Sequence, residues 1–327
     1  MGTPMTINSI KKNSEDLLNR LNSLNEAELA ELVYFHNQKY FVDNAPIISD
    51  EAFDKLVEAL RFKNPGSQAL LQIGVRESFG EEVVHQRPML SLEKCYDDET
   101  LAKWAEKIHG DFVAMPKIDG VASSLLYNKD GKLIKAATRG DGRVGEDITQ
   151  NVFMIESVVK ALNNTLLHKI MAEEFLEVRG EMFVPLSRFN EYYAEEFANP
   201  RNLAAGALKN KDKEKSKAYG LRFLPYDVRG TNALTEVEKF KELESLGFDF
   251  MPWRHVSDLA AMLKEFRDLN DKRLSFDYEI DGVVFRANDI KDQHRLGETA
   301  HHPRFAMAYK FQTETAQTEL VEVFWSV

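Results

Sequence analysis

The sequence predicts an α+β protein in two parts, a small N-terminal helical domain followed by a larger domain of mainly antiparallel sheets, and two changes of pattern carry that expectation. Apolar residues first recur at helical spacing, at Leu17, Leu18 and Leu21, then Leu29, Leu32 and Val33, then Phe53, Leu56 and Leu60. Beyond Asn64-Pro65-Gly66, where proline and glycine end a helix, the apolar residues fall into runs of strand length. A boundary is therefore expected near residue 70, and 327 residues suffice for two domains.

Within the first part, Asn44-Ala45-Pro46 interrupts the helical pattern, and Ser49 stands where it can cap the next helix. In the second part, 112–118, 122–127 and 133–138 read as strands, the last two joined by Asn128-Lys129-Asp130-Gly131, whose glycine suits a hairpin. Further strands are expected at 175–184, 221–228, 280–286, 305–311 and 320–325, with helices over 235–246 and 259–269. The second domain is therefore expected to be α+β with mainly antiparallel sheets. The charge-rich run 209–217 reads as a solvated loop or helix end.

Composition narrows the function class. The net charge of −11 argues against a generally polybasic nucleic-acid binder, because non-specific affinity comes from lysine and arginine neutralising phosphates; this chain alone should hold DNA weakly. No apolar stretch approaches the ~20 residues needed to cross a bilayer, and no leader precedes the first helix, so a cytoplasmic protein without membrane contact is expected. The single cysteine, Cys95, excludes an internal disulfide framework and reads as a small buried apolar residue. Met1-Gly2-Thr3-Pro4 ahead of Met5 reads as a cloning remnant rather than a lipidation signal.

Lys117, in Ala114-Met115-Pro116-Lys117-Ile118-Asp119-Gly120, is the candidate nucleophile: a lysine at a strand end before Asp-Gly. An ammonium does not attack, so such a lysine needs cationic neighbours to depress its pKa, or a base or metal, and cations are available downstream. The same four residues also suit a surface lysine leading into an Asp-Gly turn. Five downstream segments favour chemistry: Thr138-Arg139-Gly140-Asp141-Gly142, Glu177-Val178-Arg179-Gly180-Glu181, Phe197-Ala198-Asn199-Pro200-Arg201-Asn202, Ile280-Asp281-Gly282-Val283-Val284 and Ala308-Tyr309-Lys310-Phe311.

In this combination of segments, from about Tyr34 to the C-terminus, the sequence resembles the adenylation half of bacterial NAD-dependent DNA ligase. The resemblance implies a helical domain over 1–70 that binds nicotinamide mononucleotide (NMN), a nucleotidyltransferase domain of ATP-grasp-like ligase fold over 71–317, and over 318–327 the start of a linker to an oligonucleotide-binding domain beyond. It implies that Lys117 attacks the NAD α-phosphate to form lysyl-AMP and release NMN, with Mg2+ and with Lys310 as first cation, Arg286 and Asp119 assisting, and Asp281 near the metal. Glu181 would meet the ribose, Arg139 the ribose or the DNA phosphate side, Tyr226 would stack on adenine beside Ser91 and Leu92, and Arg273 would lie near the phosphates. Tyr40, Asp50, Phe53 and Asp54 would grip the mononucleotide, although Phe53 alone also fits a core position. Arg201 and Lys209 would face nicked double-stranded DNA, and the whole would work as a monomer in DNA replication and repair.

Five positions depart from the family pattern: Phe41 and Phe53 lack the polar tips often found there, which keeps stacking but removes a hydrogen bond, and three more change residue type. Met115 stands where glutamate is usual, Arg286 where lysine is usual and Lys209 where arginine is usual. The first removes an acceptor from the base pocket, and the other two keep charge but change its geometry. An impaired nucleotide-binding module, or an ATP- or GTP-dependent lysine nucleotidyltransferase acting on RNA, therefore stand as alternatives. The resemblance also leads us to expect a fragment, because the family continues past the point where this sequence stops.

Overall fold

The computed structural model describes residues 14–37, 39, 46–71, 81–210, 212–249 and 251–312. Tyr40, Phe41 and the strand expected over 320–325 lie outside these described residues. Helices Ser14–Arg20, Glu26–Asn37 and Asp50–Lys63, with the short Gln68–Leu71, come first. Their apolar stripes meet in a core of their own, in which Leu17, Leu29, Leu32, Val33, Leu56 and Leu60 are all 0% exposed. Ser49 caps the third helix by accepting the Ala52 N–H at 3.2 Å, and the helix ends at Asn64, as the sequence indicates.

Eleven strands follow among the described residues: β1 (Glu82–Val84), β2 (Glu93–Cys95), β3 (Phe112–Ile118), β4 (Val121–Tyr127), β5 (Leu133–Thr138), β6 (Val144–Glu146), β7 (Leu176–Phe183), β8 (Arg222–Arg229), β9 (Arg254–Val256), β10 (Ile280–Ala287) and β11 (Ala306–Lys310). They form a five-stranded sheet ordered β2-β11-β10-β3-β9, a four-stranded sheet ordered β5-β4-β7-β8 and a ribbon of β1 with β6. Among these pairings only β2 with β11 is parallel, so the antiparallel α+β expectation holds. The β4–β5 hairpin is also as expected, with Gly131 at φ 74° in its loop.

Asp119-Gly120 carries the chain from β3 in the larger sheet to β4 in the smaller. A Cβ on Gly120 would lie 2.3 Å from the Met182 carbonyl oxygen, so the crossing requires glycine. Alternation along β3 then fixes the layers. Val113 and Met115 point into a core shared with the four-stranded sheet, while Phe112 and Ala114 point the other way, towards Trp104, Met262 and Leu269 of the Asp98–Ala105 and Leu259–Lys272 helices. Lys117 has the parity of Val113 and Met115, which puts its side chain at the mouth of the cleft between the two sheets.

Candidate active site

Strand register assembles the centre of this cleft. Lys117 on β3 and Lys310 on β11 both lie opposite Gly282 on β10, the strand between them. Gly282 cannot carry a side chain, because a Cβ there would meet the Tyr309 carbonyl oxygen at 2.3 Å. Asp281-Gly282 is therefore strand interior and not the tight turn that the dipeptide alone favours. A register shift between Ile280 and Gly282 marks a β-bulge, a device that re-aims a side chain. Asp281 Oδ2 consequently accepts from Lys117 Nζ at 3.2 Å and from Lys310 Nζ at 2.5 Å. Its other oxygen, Oδ1, is buried without a hydrogen-bond partner.

A second ring of charge surrounds these three. Arg201, on a helix Pro200–Leu208 capped by Asn199, donates to Asp119 Oδ1 at 2.7 Å. Glu181 on β7 sits opposite Ala122 of β4, and its carboxylate and that of Asp119 both act on Lys117. His85 Nε2 donates to the carbonyls of Thr138 and Arg139 at 3.1 and 3.2 Å, holding the turn that carries Arg139.

The electrostatics correct one expectation. Burial pushes the Lys117 ammonium down, but Asp281, Asp119 and Glu181 outweigh it, so Lys117 is held above the ordinary lysine value. Carboxylates, not cations, dominate around the nucleophile, because the Asp-Gly bulge and the β7 strand bring acids from distant sequence to its face. Lys310 moves the other way, lowered by burial and by the Lys117 charge, with Asp281 opposing.

Burial raises the Glu181 carboxyl to about 7 from an ordinary 4.5, despite Lys117 and Arg201 pulling it down. For an acid raised in the folded state, stability is greatest while it is protonated and falls as pH climbs from the unfolded value through the folded one. Glu181→Gln removes that fall. We expect the variant to be more stable than the unsubstituted chain at pH 8 by up to about 3 kcal/mol and nearly equal to it at pH 4, as read by urea unfolding at both values.

Comparison with known proteins decides the family. Residues 77–314 match the NAD-dependent DNA ligase adenylation domain. The chain belongs to that family. It is 38% identical over 316 residues to a DNA ligase of Wolbachia pipientis subsp. Culex pipiens, covering 92% of this chain and 46% of that protein. It is 36% identical over 325 residues to a DNA ligase of Natranaerobius thermophilus, covering 91% of this chain and 48% of that protein. The chain thus spans about half the length of the curated relatives it matches. An archaeal ATP-dependent RNA ligase aligns structurally with a TM-score of 0.42 at 16% identity, over 71% of this chain and 50% of that one; the family assignment rests on the sequence match.

In the adenylation domain and in the helical part before it, the remaining candidates divide by their surroundings. Tyr226 on β8 is half-buried against the inter-sheet core, Leu92 packs against both sheet cores, and exposed Ser91 precedes it. Asp50 Oδ2 lies 3.9 Å from Lys310 Nζ, and Asp54 accepts from Lys94 Nζ and from the Tyr96 hydroxyl at 3.3 Å. Phe53 is 8% exposed within the helical core, so its ring serves packing there.

Others point elsewhere. Arg286 shares the Lys117 face of the sheet, but it pairs with Val113 four residues further along, roughly 13 Å away at strand spacing. There its Nη1 donates to Glu236 Oε2 at 2.7 Å, so it anchors a buried ionic cluster instead of standing beside Lys117. Lys209 forms an ion pair with Glu146. Arg273 opens the 3-10 turn Arg273–Ser275 after the long helix. Lys94 and Tyr96 carry no signal in the sequence, because the three-residue strand that holds Lys94, and that Tyr96 follows, is too short to leave a pattern.

Proposed function

We propose that this chain performs the self-adenylation step of an NAD-dependent DNA ligase. Lys117 Nζ attacks the adenylyl phosphorus of NAD, a P–N bond forms, the P–O bond to NMN breaks, and Nζ gives up its proton. The observation that carries this reading is the Lys117–Asp281–Lys310 arrangement, a lysine at the mouth of a cleft beside a second buried cation suited to a phosphate oxygen. Asp281 orients Lys117 and is the nearest acceptor for its proton. Tyr226, Leu92 and Ser91 would take the adenine, Glu181 and Arg139 the ribose, and Asp119 with Arg201 the entrance.

Magnesium fits this donor set sparsely. Among the described residues no group of three His, Cys, Asp or Glu side chains could hold a metal. Asp281 Oδ1, buried and without a partner, supplies one carboxylate oxygen, and magnesium characteristically completes its shell with phosphate and water oxygens. Bound there, magnesium would offset phosphate charge and loosen the hold of Asp281 on the Lys117 proton.

Later AMP transfer to a DNA 5′-phosphate and nick sealing in replication and repair belong, in this reading, to the longer protein. We take the working form to be a cytoplasmic monomer that touches nicked DNA weakly; no helix among the described residues is long and apolar enough to cross a membrane. Intact mass after incubation with NAD and magnesium should show the addition of one AMP, and ATP in place of NAD should leave the chain unmodified. An adduct with ATP alone would overturn the donor assignment, and none with either would make this a binding module.

A further inference from the structure

Lys94 is a cation on the reaction face of the five-stranded sheet that the adenylation chemistry above does not use. On the edge strand β2 it lies opposite Ala308 of β11, so it shares a face with Lys310 and Lys117 and stands one row away from them. Its charge reaches Lys310. Its ammonium is committed to Asp54, on the far side of the junction between the helical part and the sheets, and the Tyr96 hydroxyl donates to the same oxygen, Oδ2. Asp50 and Asp54 are four residues apart on the Asp50–Lys63 helix and therefore lie on one face, with Asp50 approaching Lys310. Two acids of that helix thus meet two lysines of the catalytic sheet.

We propose that Lys94 is a positioning residue for the donor: by holding Asp54 it docks the acidic face of the Asp50–Lys63 helix on the sheet edge and fixes that carboxylate where the mononucleotide half of NAD must sit. The proposal rests on the self-adenylation reading. Both donors use Oδ2, which leaves Oδ1 as acceptor for an amide or hydroxyl of the nucleotide. The side chains of Lys94 and Asp54 are 29% and 33% exposed, so the pair is too solvated to decide whether the chain folds, but it is sufficient to set one geometry.

Lys94→Met keeps the aliphatic stem and removes the charge. In NAD-driven adduct formation its KM for NAD should rise about fivefold, the effect expected of one part-exposed ion pair, with kcat changed by less than about twofold. The concentration of NMN needed to reverse the lysyl-AMP adduct should rise in the same proportion. Lys94→Arg should restore most of the loss, the melting temperature of both variants should stay within about 2 °C, and Lys94→Met should add nothing in an Asp54→Asn background. An unchanged or lowered KM, or a loss confined to kcat, would overturn the role of Lys94 while leaving the donor assignment standing. An unsubstituted chain that forms no adduct with NAD would overturn the donor assignment itself, and the Lys94 role with it.

Discussion

Lys117→Ala should form no AMP adduct by intact mass under conditions chosen to modify the unsubstituted chain, an expected loss of at least ~10⁴-fold. The size of the effect follows from the absence of a substitute nucleophile in the right place. Lys310 is the nearest rival: it shares Asp281 Oδ2 with Lys117, and burial and the Lys117 charge make its ammonium the easier of the two to deprotonate. Yet Lys310 is 7% exposed in its side chain and lies inside the row, whereas Lys117 is 25% exposed at the cleft mouth where a phosphorus can arrive in line. An adduct that survived in Lys117→Ala and mapped to Lys310 would exchange the two roles. Lys310→Ala should still place AMP on Lys117, but more slowly by about 10²-fold, because a buried cation beside a phosphoryl group contributes mainly charge stabilisation.

The fold was legible wherever an element buries enough apolar residues to leave a pattern in the chain. The strand over 112–118 announced itself as a short apolar run, because alternate residues enter two different cores, whereas the long helices announced themselves by a helical period, because only one face of each is buried. Three-residue strands such as β2 and β9 are too short to leave a period, and their pairing depends on β11 and β3 far away in sequence. The site divides in the same way. Lys117, Asp281 and Lys310 could be named from their segments, but the bulge that turns Asp281 onto both lysines is a property of the pairing of β10 with β3. The protonation of Lys117 escapes the sequence for the same reason. Counting cations along the chain cannot show that Asp281, Asp119 and Glu181 arrive at one atom.

Arg286→Met should destabilise the chain by about 3–5 kcal/mol, lowering the melting temperature by roughly 10 °C, without the specific loss of phosphate affinity that a residue beside the reacting phosphate would show. Arg286 is 7% exposed and joins Glu236 at 2.7 Å, Asp227 at 3.7 Å and the Tyr226 carbonyl at 3.4 Å. Lys239 Nζ completes the cluster, 3.0 Å from each of the two acids. These contacts tie β10, β8 and the Glu236–Ser245 helix together, so removing the arginine leaves two buried carboxylates short of a partner. Arg286→Lys would keep the charge but lose the planar Nη1 that donates to a carboxylate and a carbonyl at once, at a cost of about 1–2 kcal/mol. The cluster also sets a pH signature. Despite burial, which works the other way, Arg229, Lys239 and Arg286 hold the Asp227 carboxyl well below its ordinary value, and Arg286 and Lys239 hold Glu236 below its own. Acids lowered in the folded state add stability above their unfolded values and lose it as pH falls through the folded ones. The stability gap between the unsubstituted chain and Arg286→Met should therefore be full at neutral pH and shrink as pH drops below about 4, as read by urea unfolding across that range. A gap that persisted unchanged in acid would mean that Arg286 acts through packing of its stem and not through the two carboxylates.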